Sequence, residues 1–402
     1  MKKKKVLVAM SGGVDSSVTA ALLQEEGYEV GGATIRTWAP NDCESRNTRS
    51  CCGLSGVEDA RDVAETLGIP YWVFNFEAEF KTAVVDYFAS EYRQGRTPNP
   101  CIACNEHVKF RKFMLRARQL GYDMMATGHY ASLGYDMDRE LHYILEGVDA
   151  SKDQSYVLFP LEQALLPQIL LPLGRFTKTE IRKKARDLGL KSVMEKPDSQ
   201  EICFIPSNDY GTFLEREYLA VEDASAMARA SGTVPARGIN PRAGGDPKGR
   251  PLTQEDNAQQ AVSAEGVIRM QDGRVLGHHR GFYHFTKGQR RGLGVAYKER
   301  LYVLSTDPEK NEVVVGTKAE VFDRQCMLAR MNWFLKPGGA TFKASVKIRA
   351  QHKKAPATVT VSENGHARIF FDEPQDAITP GQGAAIYEGP ILLGGGWIES
   401  VH

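Results

Sequence analysis

A short apolar run, KVLVAM at 5–10, passes directly into SGGVDSS at 11–17, and a helical pattern follows over 16–26 with Val18, Ala21 and Leu22 on one face. A strand that turns sharply into a helix through two glycines has few uses. Gly12 and Gly13 let the backbone bend and come close to a ligand. The helix start exposes amides that suit an anion, and Ser11, Ser16 and Ser17 add hydroxyl donors. Asp15 is unexpected in such a loop, because a carboxylate repels a phosphate unless a divalent cation lies between them. The stretch has neither the Gly-Lys-Ser/Thr ending of a Walker loop nor a GxGxxG spacing. It predicts a phosphate-binding turn between a strand and a helix.

The surrounding chain supplies that sheet. Strands are predicted at 28–35 (YEVGGATI), at YWVFNF and at 123–128 (DMMATG). Between them VEDARDVAETLG reads as a helix stopped by Gly68. Thr177 and Glu180 form a capping box that opens KTEIRKKARDLG. Strands alternating with helices imply a parallel sheet covered on both faces, an α/β fold. After about residue 208 the character changes. The stretch 220–264 is rich in Ala, Gly, Pro and charge and reads as a polar surface insertion. From about 266 strand follows strand with period-two alternation, which predicts a small barrel. The expected division is therefore 1–208 as the catalytic α/β domain, 209–297 as a small mixed or β central domain, and 298–402 as a C-terminal β-barrel.

With 51 Lys and Arg against 50 Asp and Glu, the net charge of +1 leaves any nucleic-acid surface to local patches. Two such patches stand out. HVKFRKFMLRARQ places Lys109, Arg111, Lys112, Arg116 and Arg118 on one predicted helix, and Lys343, Lys347 and Arg349 alternate with apolar residues on one predicted strand face. Lys2 to Lys5 reads as a solvated strand edge. No membrane span or secretory leader is read, and the seven cysteines are odd in number, which suggests a reducing cytoplasmic setting. Cys43, Cys51 and Cys52 fall in a polar loop and read as ordinary loop cysteines. TPNPCIACNEHVKF, at 97–110, is more pointed. Cys101-x-x-Cys104 suits half of a metal site, a redox pair, or one reactive thiol, and nothing inside the stretch decides among them. His129 in ATGHY suits either a general base or a neutral histidine orienting its loop.

SGGVDSS resembles the pyrophosphatase loop (PP-loop) of the ATP-pyrophosphatase superfamily. That resemblance implies ATP held by Ala9, Met10, Ser11, Gly12, Gly13, Val14, Asp15 and Ser16, with Ile35 and Gly128 lining the adenine and ribose side and Mg2+ as the cation. Together with GRTPNPCIACNEHVKF, ATGHYA followed by SKDQSYVLF, DSQEICFIP, TKGQRRGLG and ITPGQGAAIYEGPILLGGGWI, it is similar to the bacterial tRNA-uridine 2-sulfurtransferases that thiolate the wobble uridine, position 34. The resemblance implies that ATP adenylates uridine O2 and that AMP and pyrophosphate are released. Cys203 would carry a persulfide received from a donor protein, and Cys104 would be the second essential thiol. Asn99, Pro100 and Cys101 would approach the target base. Lys152, Asp153 and Gln154 would contact tRNA, and Arg349 with Ala350 would add a barrel contact. Many members carry aspartate where this chain has Cys101. Cys101, Cys104 and Cys203 are therefore also candidate ligands of a [4Fe-4S] cluster in a cluster-dependent version of the reaction. Another PP-loop synthetase is the remaining alternative, though one that would not need Cys104 or Cys203.

Overall fold

The computed structural model describes residues 3–38, 54–196, 202–205, 209–215 and 265–401. Cys43, Cys51, Cys52 and the insertion read at 220–264 lie outside them. The chain divides into two compact units. One comprises Met1–Ser90, Thr97–Asn208 and Phe322–His402, and the other comprises Glu91–Arg96 and Asp209–Val321.

The first unit begins with strands β1 (Lys5–Ala9), β2 (Glu29–Arg36), β3 (Tyr71–Asn75) and β4 (Met124–Ala126), followed by a hairpin of β5 (Ala131–Asp136) and β6 (Leu141–Glu146), and by β7 (Ile169–Leu170). Five of these form a wholly parallel sheet in the order β3-β2-β1-β4-β7. Val6, Leu7 and Val8 of β1 are fully buried, as the continuous apolar run requires of a central strand. Helices Val14–Glu25 and Lys178–Asp187 pack against this sheet through Val18, Leu22, Ile181 and Ala185. The second of them has the expected capping box. Because β2 and β4 lie on opposite sides of β1, a crevice opens at the carboxyl ends of β1 and β4, the place where open α/β sheets bind ligands.

The hairpin β5–β6 leaves this sheet. β6 pairs antiparallel with the last strand of the chain, Ile391 opposite Leu145 and Leu392 opposite Ile144. That strand belongs to a barrel of β12 (Phe322–Trp333), β13 (Thr341–Lys347), β14 (Ala355–Val361), β15 (Ala367–Asp376), β16 (Gly383–Glu388) and β17 (Ile391–Val401). These six run in the order β12-β15-β14-β13-β16-β17, and a β12–β17 pairing closes the ring. Its interior holds Leu328, Val346, Val359, Ile369, Phe371 and Ile386.

The second unit is built on β8 (Gly266–Met270), β9 (Val275–His279), β10 (Tyr302–Asp307) and β11 (Glu312–Gly316), in the order β10-β11-β8-β9. The hairpin β10–β11 lies within 298–402, the span expected to form the barrel. It joins this sheet instead, because β11 pairs in parallel with β8. The boundary thus falls between Gly316 and Phe322 rather than at 297/298. Alternation shows that a strand has two faces and is silent about which sheet it enters.

Candidate active site

The turn after β1 lies in the crevice. Gly12 has φ +68°, and a Cβ there would lie 2.2 Å from the Gly56 carbonyl oxygen, so only glycine fits. Gly13 precedes the helix without a side-chain cap, which leaves the first-turn amides to a ligand. The hydroxyl of Ser16 accepts from the Ser11 amide at 3.1 Å and donates to the Gly13 carbonyl at 3.2 Å, and Ser17 Oγ donates to the same carbonyl at 2.9 Å. The serines thus hold the turn in shape. Met10 is a core residue: it is 1% exposed, and its carbonyl accepts from Thr34 Oγ1 at 2.7 Å. Its side chain is unavailable to a nucleotide. Gly128, in the loop after β4, closes on the turn from the other side, and a Cβ on it would lie 2.9 Å from the Ser16 amide nitrogen. Ile35 is next to last in β2, paired in register with Phe74.

Asp15 has partners that sequence reasoning missed. Lys178 Nζ donates to both its oxygens, at 2.7 and 2.8 Å, and Tyr130 Oη donates to Oδ1 at 2.7 Å. Lys178 is nearly buried and opens the capped helix. A second lysine, Lys196, bridges the Gly12 carbonyl at 2.9 Å and Asp59 at 2.5 Å. The turn therefore has two ammonium groups beside it. Nothing local marks Lys178, which looks like any polar residue in a first helical turn. Its position at the carboxyl end of the sheet was the available signal.

The cysteine stretch forms a helix, Pro100–Cys104, that continues through a π-helical turn, Asn105–Lys112, into Phe113–Gln119. Asn99 caps it, with Oδ1 accepting from the Ile102 amide at 3.2 Å, and Pro100 occupies the first turn, where no amide hydrogen is needed. Cys101 is exposed and Cys104 buried. Phe110 on this helical run packs its ring 5.7 Å from that of His129, which follows Gly128 directly. The thiol-bearing helix thus rests on the segment that closes the PP-loop. His129 is buried, its Nδ1 lies 2.7 Å from Thr127 Oγ1, and burial pulls its pKa down to about 3. A group so reluctant to take a proton orients its loop rather than acting as a base near neutrality. Cys203 is half-buried. Its neighbour Phe204 sits edge-on to Phe80 and Phe88, at 5.6 Å from each. The helical turn Lys81–Asp86, between those two phenylalanines, also packs on Pro100–Cys104. Phe204, next to Cys203, thus touches the two phenylalanines that flank the turn on which Pro100–Cys104 packs, so the two cysteine-bearing segments, about a hundred residues apart in sequence, approach the same stretch 80–88. The remaining described thiol, Cys326, is buried in the barrel, where desolvation pushes its pKa up to about 12.

The expected RNA contacts separate into two kinds. Asp153 is structural: its Oδ1 accepts from the Gly147 and Ser155 amides at 3.2 and 3.1 Å, and its Oδ2 faces Ser155 Oγ at 3.0 Å and Lys347 Nζ at 3.5 Å. Gln154 Oε1 accepts from the Tyr130 amide at 3.0 Å. Lys152 is half-buried, and Ala350 is exposed. Arg349 lies beyond the end of β13 and donates to the Asp376 carbonyl at 2.7 Å. Lys343, Lys347 and Arg349 thus do not share an exposed strand face. Lys343 is exposed and pairs with Asp372, whereas Lys347 is turned inward by Asp153. The basic helix is also partly compensated, since Arg111 and Lys112 pair with Glu162 and Glu79. Among the described residues no group of three or more His, Cys, Asp or Glu side chains is gathered as a metal would require. Cys101, Cys104 and Cys203 are not disposed as a ready three-thiolate site.

A parallel sheet with an uncapped, lysine-flanked glycine turn at its switch point defines a nucleotide-binding α/β domain, to which this chain adds two cysteine-bearing segments and a barrel. Three family models match in order: the tRNA methyl transferase HUP domain over 4–207, the tRNA methyl transferase PRC-barrel domain over 258–317, and the aminomethyltransferase β-barrel domain over 323–398. The chain is 44% identical to a tRNA-specific 2-thiouridylase MnmA of Geobacter metallireducens, covering 99% of this chain and 97% of that protein. It is 42% identical to the tRNA-specific 2-thiouridylase MnmA of Acetivibrio thermocellus, over 99% of this chain and all (100%) of the relative. The chain belongs to the tRNA-specific 2-thiouridylase family.

Proposed function

We propose that this enzyme replaces O2 of the wobble uridine of tRNA with sulfur, using ATP to activate the oxygen and a cysteine persulfide as sulfur source. The thiouridylase activity follows from family membership over the whole length. The observation that carries the division of labour is the packing of the thiol helix, through Phe110, on the His129 segment that closes the PP-loop.

The turn at 11–16 holds the triphosphate through backbone amides and serine hydroxyls. Carbonyl oxygen is a poor leaving group, and adenylation makes it a good one. Lys178 and Lys196, beside the turn, would meet the charge that grows on departing pyrophosphate, which is the stage at which fixed donors lower the barrier most. The loop offers one carboxylate, Asp15, which suits magnesium, an ion that keeps several waters and binds through one or two carboxylates plus phosphates. Bound there, Mg2+ would neutralise phosphate charge. Asp15 would then exchange its contact with Lys178, releasing the ammonium toward the phosphates.

The terminal sulfur of a Cys203 persulfide forms the new bond to C2 as AMP leaves. The Cys104 thiolate then attacks the Cys203 sulfur, freeing the thiocarbonyl and leaving a Cys104–Cys203 disulfide that a cellular thiol must reduce. The segments that carry the two cysteines approach the same stretch 80–88, as the relay requires. The persulfide comes from a separate donor protein. Among the described residues no helix is long and apolar enough to cross a membrane.

The test is a pair of variants. Cys104→Ser and Cys203→Ser are each expected to stop 2-thiouridine formation, because a hydroxyl forms no persulfide and attacks poorly at neutral pH. Both should still release AMP in a tRNA-dependent way. Thiolation by either variant, measured by mass spectrometry of digested tRNA, refutes the relay.

A further inference from the structure

We infer that the turn 379–383 between β15 and β16 of the barrel is the seat that fixes the thiol-bearing loop 97–104, making the barrel a positioning element for sulfur transfer; this rests on the reading of Cys104 given above. The loop has an unusual need. With prolines at 98 and 100, the four residues 97–100 have amide hydrogens only on Thr97 and Asn99, so the stretch cannot form a regular ladder and its carbonyls need donors from elsewhere. Buried carbonyls without donors are costly, and Pro98 is buried.

The barrel turn supplies the missing partners. Gln382 Nε2 donates to the Thr97 carbonyl at 3.0 Å and to the Pro98 carbonyl at 3.1 Å. The Thr97 amide donates to the Pro380 carbonyl at 2.9 Å. The turn is itself pinned to β17, with the Gly381 amide donating to Ile398 O at 2.9 Å and the Ile398 amide donating to Gln382 O at 2.8 Å. Gly383 completes the seat. A Cβ there would lie 2.8 Å from Ile102 Cδ1 and 2.6 Å from a Phe159 ring carbon, so the backbone touches the thiol helix directly. Tyr156 ties in the third segment: its hydroxyl donates to the Gly383 carbonyl at 2.9 Å and also meets the Asn99 side chain, the cap of the thiol helix. Three stretches far apart in sequence, TPNPC, QSY and TPGQG, thus meet in one hydrogen-bonded knot. None of these contacts reaches the PP-loop.

The test uses the full-length enzyme with two substitutions of different kind. Gln382→Glu keeps the shape and removes the donors, and Gly383→Ala inserts a methyl group against Ile102. In each, amide hydrogen exchange of peptides covering 97–105 should quicken at least tenfold, and the alkylation rates of Cys101 and Cys104 should change by a similar factor. Exchange in the parallel sheet should stay unaltered. The kcat for 2-thiouridine formation should fall tenfold or more, while tRNA-dependent AMP release and the KM for tRNA stay within twofold. Where Gln382→Glu unfolds the barrel, Gln382→Asn, too short to reach both carbonyls, takes its place. Unchanged exchange and alkylation overturn the inference. So does a rise in tRNA KM alone, which would make the turn an RNA contact, or an equal fall in AMP release and thiolation. A wild-type protein that makes no thiouridine would instead defeat the underlying reading, and the exchange and alkylation data would still judge the seat.

Discussion

The PP-loop and the cysteine loop are built on opposite plans. The first is assembled by its own sheet: Gly12, Ser16, Asp15, Tyr130 and Lys178 all lie within the first 178 residues and close around one switch point. The second is a stretch of poor hydrogen-bonding capacity completed from the far end of the chain, by Gln382 and Gly383. On the proposed mechanism the two half-reactions therefore depend on different parts of the fold, and each is expected to be damaged separately.

The largest expected effect lies in the loop that builds itself. Asp15→Asn should cut tRNA-dependent AMP release by about a thousandfold, at the upper end of what removing one preorganised charged group costs. Thiolation should fall with it, because an unactivated oxygen does not leave. Cys104 alkylation should not change. AMP release within tenfold of wild type would break the comparison, since the turn would then not be the seat of ATP chemistry.

His129 lies where the two regions touch and gives an intermediate effect. Its native pKa is depressed to about 3, so it stays neutral while the unfolded chain takes a proton below about 6.5. Its contribution is fully present above pH 6.5 and is lost as pH falls toward 3. At pH 5 the loss is about 2 kcal/mol. Urea midpoints should show that slope in the wild type and a shallower one in His129→Gln. Equal slopes would mean that this contact does not share the burial described for it.

The smallest effect concerns the residue where this chain departs from the common pattern. In a two-thiol relay Cys101 is exposed and replaceable, so Cys101→Ser should lower thiolation by less than about threefold, and Cys101→Asp should be tolerated. Loss of thiolation together with visible absorption in both variants would move Cys101 from bystander to cluster ligand.

The first region was far more legible than the second. A buried apolar run, two glycines and an apolar-faced helix are local signals, and they located β1, the turn and the helix to within two residues. Local signals also placed the Thr177–Glu180 capping box. What failed was partnership across distance. The hairpin β5–β6 was not read at all, since Gly134 and the charged turn at 136–140 interrupt its pattern and its partner strand lies beyond residue 390. Lys347 looked like a surface cation because its strand alternates, yet it turns inward to Asp153, a pairing between residues 194 apart. Lys178 was passed over for the same reason: nothing near it in sequence mentions Asp15. Periodicity reports which face is buried, and it carries no information about which charge is waiting there.

The pairing of β6 with β17 also sets an order of events during synthesis. Chains are made from the N-terminus, so the parallel sheet and its phosphate turn emerge well before the barrel strands of the same compact unit. Until Ile391 and Leu392 arrive, the Leu141–Glu146 strand has one edge open, and an open apolar edge invites pairing with other chains. A nascent or truncated chain would thus be sticky along β6 until β17 closes it.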